Sequence, residues 1–209
     1  MIQYPAGQGP QSHQKHVKTK ASAMKQSKTI YGSRGMTLEE RLNQSNEYYL
    51  SRNIAVIHKK PTPIQVVKVD YPKRAAARIT EAYYRHASTT DYNGIYQGYY
   101  VDFEAKETKN KSGFPLSNLP QHQQEHMAAC LEAGGLVFVI ISFTAYNEIY
   151  LLPYQMIKAF QEDSNKQSVP YKYIKEHGYV CPSAYQPTIN YLSALDEFIK
   201  DNHIELKGV

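Results

Sequence analysis

The chain has no tryptophan, only 2 cysteines and no acidic residue before Glu39. Cys130 and Cys181 stand far apart with no CxxC neighbour, so neither a zinc knuckle nor a disulfide framework is indicated, and a reducing cytoplasm fits. No apolar run reaches the roughly 18 residues of a membrane span, and the N-terminus lacks the apolar segment of a signal peptide. The missing early acids leave Lys15, Lys18, Lys20, Lys25, Lys28 and Arg34 unopposed. They form a basic arm suited to a polyanion, although the formal charge of the whole chain is only +5. What the chain has in quantity is tyrosine, 19 residues beside 6 phenylalanines. Most of these rings are expected to pack in a core, and some can stack on bases.

A chain of 209 residues can bury one substantial core. Residues 1–30 hold too few apolar anchors to offset the entropy of ordering, so they read as a flexible arm ahead of a single domain over 31–209. Thr37 as N-cap with Glu40 three positions later opens a helix running to Leu50, with Leu38, Leu42 and Tyr49 on one face. Ile54–His58 reads as a strand. Residues 61–88 leave the compact strand-turn-strand plan and look like an inserted excursion rich in Lys, Arg and Tyr. Pro120–Ala133 reads as a helix ended by Gly134 and Gly135. Leu136–Phe143 reads as a central buried strand with Glu148–Leu152 beside it, and Pro153–Phe160 and Asn190–Ile199 as further helices. The order α, β, β, β, α, β, β, α predicts an α/β domain with a sheet flanked by helices.

The stretch TTDYNGIYQGYYVDFEAK over 89–106 carries the chemistry. Asn93-Gly94 is a turn signal, and it places Asp91 and Glu104 on the two arms of a predicted hairpin. Strand alternation puts Val101, Phe103 and Ala105 on a buried face and Asp102, Glu104 and Lys106 on the other. Two carboxylates suit a hard cation such as Mg²⁺, and the ammonium of Lys106 suits charge developing on a phosphate oxygen. Phosphodiester cleavage is the chemistry this set serves. Asp102 is expected as an outer-sphere or solvated group. His122 and His126 have helical i,i+4 spacing, but HxxxH lacks the glutamate of HExxH and a third ligand, so zinc is not expected.

The D…ExK pattern resembles the core of the PD-(D/E)xK nuclease fold. Four strings narrow it: GSRGMTLEERLNQSNEYY, AVIHKKPTPIQVVKVDYPKRAAARITEAYY, STTDYNGIYQGYYVDFEAKETKNKSGFPLSNL and HQQEHM. Together they cover most of residues 32–127 and resemble the RecU family of Holliday-junction resolvases. That resemblance implies a restriction-endonuclease-like mixed central sheet flanked by helices, with a projecting stalk inserted at about 61–88. It also implies a homodimeric, Mg²⁺-dependent endonuclease, with Mn²⁺ as a substitute, which nicks two opposing strands of a four-way DNA junction in recombination and repair. The strand-exchange recombinase and the branch-migration helicase are its implied partners, in a cytoplasmic, nucleoid-associated setting with no membrane.

Carried over residue by residue, the resemblance places metal ligands at Thr89, Asp91, Glu104 and Gln123 and the transition-state lysine at Lys106. The carbonyl of Ala105 is a further possible ligand. Taken alone, Thr89 would be a turn hydroxyl and Gln123 a surface amide, so their roles rest on the resemblance. Glu39 resembles the acid that related nucleases bring toward the site from the first helix, with Glu40 and Glu47 as neighbouring alternatives. Expected DNA contacts are Arg34 near the arm and Lys73, Arg74, Arg78, Tyr84 and Arg85 on the stalk, where cations would neutralise phosphates and a ring would stack. Two other readings remain open: a PD-(D/E)xK nuclease acting on duplex, and a non-catalytic junction-binding factor.

Overall fold

The computed structural model describes residues 35–73, 76–85 and 89–204. Arg34, Arg74 and the basic arm lie outside the described residues. In chain order the elements begin with α1 (Leu38–Ser51), β1 (Val56–Lys59), β2 (Ile64–Asp70), β3 (Arg78–Tyr84), β4 (Tyr92–Tyr96) and β5 (Tyr99–Thr108). After these come β6 (Gly113–Pro115), a 3-10 turn over Leu116–Asn118, α2 (Gln121–Glu132), β7 (Leu136–Phe143) and β8 (Glu148–Pro153). The chain continues through α3 (Tyr154–Asp163), β9 (Ser168–Pro170), α4 (Tyr171–His177), β10 (Tyr179–Val180) and α5 (Tyr191–Asp201).

α1 starts where the sequence says it should. The Thr37 hydroxyl accepts the Glu40 N–H at 3.1 Å and the Glu40 carboxylate accepts the Thr37 N–H at 2.8 Å, so two donors otherwise orphaned at the helix start are satisfied reciprocally. Leu38, Leu42 and Tyr49 then face inward.

Six strands form one sheet in the order β1-β4-β5-β7-β8-β10. The β5–β7 pair is parallel and the others are antiparallel, so the sheet is mixed. The parallel pair requires a crossover, and α2 supplies it on one face of the sheet. β7 explains why both faces need covering. Leu136, Phe138 and Ile140 join a core with α1 and α5, while Val137, Val139, Ile141 and Phe143 join a second core with α2, α3 and α4. A nearly continuous apolar strand, broken here only by Ser142, is what burial on both faces demands. This mixed sheet between helical layers is the restriction-endonuclease-like arrangement. Among the described residues, no helix is long and apolar enough to cross a membrane.

Three expectations need correction. The hairpin turns at Gln97-Gly98, both with positive φ (48° and 78°), and not at Asn93-Gly94. Asn93 and Gly94 lie inside β4, where Gly94 sits opposite Ile57 of β1. A Cβ there would stand 2.0 Å from the Val56 carbonyl oxygen, so the glycine serves close strand approach instead of a turn. Next, the excursion is itself a strand-turn-strand unit: β2 and β3 form a separate antiparallel sheet with an irregularity between Val66 and Val69, and no residue of either strand is buried. Finally, the element order is longer than expected, because β6 pairs with β9 in a small sheet of its own and α4 and β10 follow.

Candidate metal centre

Glu104 lies mid-strand in β5, between β4 and β7, and is 0% exposed. Lys106 is two residues on, hence on the same face, and its Nζ is 2.8 Å from Glu104 Oε1. The β4–β5 register pairs Tyr92 with Phe103, so one step further brings Asp91 opposite Glu104. The Asp91 N–H donates to Glu104 Oε2 at 3.1 Å. Asp91, Glu104 and Lys106 are therefore brought together.

Gln123 arrives from α2 and is 6% exposed. As the crossover helix between two parallel strands, α2 runs back along β5. His126 is level with Asp102, and Gln123 lies one helical turn before it. The His126 Nε2 to Asp102 Oδ2 distance of 3.3 Å marks that alignment. Gln123 Oε1 is buried and accepts no hydrogen bond from any described residue, while the buried Glu104 Oε1 has the Lys106 ammonium 2.8 Å away. The two carboxylates of Asp91 and Glu104 and the orphaned amide oxygen of Gln123 are hard donors, so these residues fit a divalent cation. Thr89 is half-buried two residues before Asp91, its hydroxyl donating to the Thr90 carbonyl at 3.4 Å.

Burial pushes the Glu104 carboxyl up to about 7; the Lys106 ammonium pulls it down and Asp91 pushes it further up. A carboxyl held there is readily made anionic by a cation.

On the α1 side, Asp91 also borders a cavity of about 180 Å³ lined by Glu39, Glu107, Leu38 and Ala105 among others. The three first-helix acids differ in where they face. Glu39 faces this cavity, with its Oε1 2.5 Å from Lys59 Nζ, whereas Glu40 is occupied in the cap and Glu47 lines a different cavity. Glu107 was not singled out from sequence. Its Oε1 accepts the Leu38 N–H at 3.0 Å, at the electropositive start of α1, and its place two residues after Ala105 was the available signal.

Asp102 corrects the expectation of an outer-sphere or solvated group in its second sense: it is 0% exposed. Its Oδ2 is 2.8 Å from Lys60 Nζ and accepts from Tyr100 Oη at 2.8 Å, and its Oδ1 accepts from the Thr90 hydroxyl. Burial would raise this carboxyl, but Lys60, Thr90 and Tyr100 reverse that and hold it below the usual carboxylate range. Sequence reasoning missed the cluster because period-2 alternation cannot say that α2 covers the second face. The ligand atoms of Asp102, His126 and Cys130 lie within 4.8 Å of one another, a grouping able to hold a metal. The Lys60 ammonium, 3.5 Å from His126 Nε2, already stands among them.

Of the expected DNA contacts, Lys73, Arg78, Tyr84 and Arg85 are all exposed on or beside the β2–β3 hairpin. Tyr84 is 85% exposed, Arg78 is paired in register with Asp70, and Arg85 Nε donates to Gln65 Oε1 at 3.3 Å.

The family profile described as "RecU: Recombination protein U" matches residues 33–197. The chain belongs to the RecU family. Relatives named Holliday junction resolvase RecU support this at full length. The protein of Leuconostoc mesenteroides is 49% identical over 205 residues, covering 97% of this chain and 99% of the relative. That of Staphylococcus saprophyticus is 51% identical, covering 96% and 97%, and that of Bacillus cytotoxicus 51%, covering 93% and 96%. RecU membership and the oxygen donor set together suggest a divalent metal at this centre.

Proposed function

We propose that the protein is a Mg²⁺-dependent endonuclease that resolves four-way DNA junctions by paired nicks, with Mn²⁺ able to substitute. The observation that carries this reading is the convergence of Asp91, Glu104 and Lys106, with the buried Gln123 Oε1 of the covering helix lacking a donor, in a RecU-family chain. Asp91 and Glu104 hold the cation, and Gln123 and Thr89 add neutral oxygens. When bound, the cation polarises the scissile phosphate and lowers the pKa of a water. Lys106, anchored on Glu104, stabilises charge on the phosphate or orients the attacking water. Glu39 borders the same centre from α1.

Paired nicks need two centres, and a homodimer supplies them through a two-fold axis. Unpartnered apolar side chains support a second copy: Ile64, Val66 and Ile79 are exposed on a two-stranded sheet that is marginal by itself, and Val56 and Ile95, partners in register, are exposed on the main sheet. In this reading the hairpin is the stalk that senses the junction centre, with Tyr84 stacking and Lys73, Arg74, Arg78 and Arg85 on phosphates, while Arg34 and the basic arm add charge. The enzyme would act on the nucleoid beside a strand-exchange recombinase and a branch-migration helicase.

The test incubates the purified chain with a four-way junction, sequence-matched duplex and single strand, with and without Mg²⁺. Metal-dependent nicking of two opposing junction strands is expected. Equal cleavage of duplex would favour a general DNase, and metal-dependent cleavage of none would leave a binding factor.

A further inference from the structure

We infer that Lys60, Thr90 and His126 form a clasp around the buried carboxylate of Asp102 that positions Asp91 and Gln123 against Glu104. The inference rests on the proposed nuclease reading and concerns residues that touch neither phosphate nor cation in it.

The clasp sits where the β2–β3 hairpin leaves and rejoins the sheet. Lys60 follows the last residue of β1 and opens the excursion; Thr90 closes it, directly before Asp91. These two feet are joined directly and through the neighbouring Asp91. The Lys60 N–H donates to the Asp91 carbonyl at 2.7 Å, and Lys60 Nζ donates to Thr90 Oγ1 at 2.9 Å. Both feet then bind the same carboxylate: Lys60 Nζ meets Asp102 Oδ2 at 2.8 Å, and the Thr90 hydroxyl donates to Asp102 Oδ1. The second oxygen also meets His126 Nε2 at 3.3 Å.

Sequence spacing turns this knot into an alignment device. Thr90 adjoins Asp91, Asp102 is two residues before Glu104 on one face of β5, and His126 is one helical turn after Gln123 on α2. Each metal-ligand candidate is therefore within three residues of a side chain held on one buried carboxylate. The β4–β5 ladder begins at Tyr92, so the Thr89–Asp91 segment has no ladder of its own to β5. Its placement is set by the Asp91 N–H to Glu104 bond, by the Lys60 N–H to Asp91 carbonyl bond and by the side chains of the clasp. A buried ion pair is weak evidence for stability, because an apolar cluster would hold the fold as well. What the clasp supplies that an apolar cluster would not is direction.

The experiment compares full-length wild type with Thr90→Val, which removes one hydroxyl and keeps the shape, and with Lys60→Met and Asp102→Asn. Three quantities are measured: junction affinity in EDTA, single-turnover cleavage at saturating junction, and Mn²⁺ affinity by calorimetry without DNA. Losing a partner bonded directly to a metal ligand costs about 10- to 100-fold in metal affinity or activity. Thr90 acts one bond further out, through Asp102 and Lys60, so Thr90→Val should lower the saturated rate and Mn²⁺ affinity by about 10-fold, the low end of that range, with junction affinity within about 3-fold of wild type. Wild-type rate and Mn²⁺ affinity in folded Thr90→Val would overturn the clasp. If Lys60→Met or Asp102→Asn does not fold, Thr90→Val decides alone. Should wild type itself leave junctions uncut, the nuclease reading fails, and the Mn²⁺ measurement still judges the clasp.

Discussion

The N–H of Asp91 points at Oε2 of Glu104, 3.1 Å away and thirteen residues on, so the backbone of one acid fixes the aim of the other. In an ordinary antiparallel ladder a carbonyl would accept that hydrogen. Here the side chain accepts it, which holds one carboxylate oxygen in place and leaves Oε1 facing Lys106.

Chemistry and binding should separate. Glu104→Gln, Asp91→Asn or Lys106→Ala should lower single-turnover junction cleavage by more than about 100-fold, beyond the loss expected for an outer-sphere partner. Junction affinity measured by gel shift should stay near wild type. Near-normal Mg²⁺-dependent cleavage by Glu104→Gln would refute the assigned centre.

Protonation of Glu104 should be visible in stability. Its folded pKa of about 7 lies above the ordinary value of 4.5, so the metal-free folded state holds this proton more tightly than the unfolded chain does. That contribution is full below pH 4.5 and is lost as pH rises through about 7. In calorimetry the metal-free wild type should lose melting temperature across this window relative to Glu104→Gln. Because a cation must displace the proton, Mg²⁺ should raise the wild-type melting temperature more at pH 8 than at pH 6. Parallel pH curves for the two proteins would contradict the shift.

Gly94→Ala tests the reassigned turn. A methyl group 2.0 Å from the Val56 carbonyl cannot be housed without moving β1, and overpacking of this kind costs about 1–3 kcal/mol or more. Gly98→Asn, at a left-handed turn position asparagine tolerates, should cost less. Denaturant midpoints rank the two, and the opposite ranking would return the turn to Asn93-Gly94.

Tyr84→Ala addresses junction selectivity. Stacking on one base contributes about 1–3 kcal/mol, which is about 5- to 150-fold in affinity. The variant should lose junction affinity by such a factor while Mn²⁺ binding is unchanged. If wild type, Tyr84→Ala and a hairpin deletion all discriminate equally between junction and duplex, selectivity resides elsewhere.

Much of the framework was legible because its signals are local. Leu136–Phe143 is apolar at every position but Ser142 and has the bounds of β7, and the Thr37–Glu40 box marks the start of α1. Asp91, Glu104 and Lys106 could be read because strand alternation and pairing suffice to bring them together. The misplaced turn shows where local signals fail: Asn93-Gly94 has strong turn chemistry, but pairing with β1 outweighs it and uses the glycine for its missing Cβ. Asp102 shows a second failure. Its polarity and spacing suit a solvated face, and only the packing of α2 over β5, a property of tertiary structure, makes it a buried hub.

The β2–β3 hairpin contributes no buried side chain to either core. Lengthening, trimming or recharging it would therefore leave the packing around Glu104 untouched, provided its two feet stay in place. If the hairpin reads the junction as proposed, reach and recognition can drift from one descendant sequence to another while the hydrolytic machinery is inherited unaltered, and the hairpin would be the part of this protein most open to evolutionary retuning toward a different branched DNA.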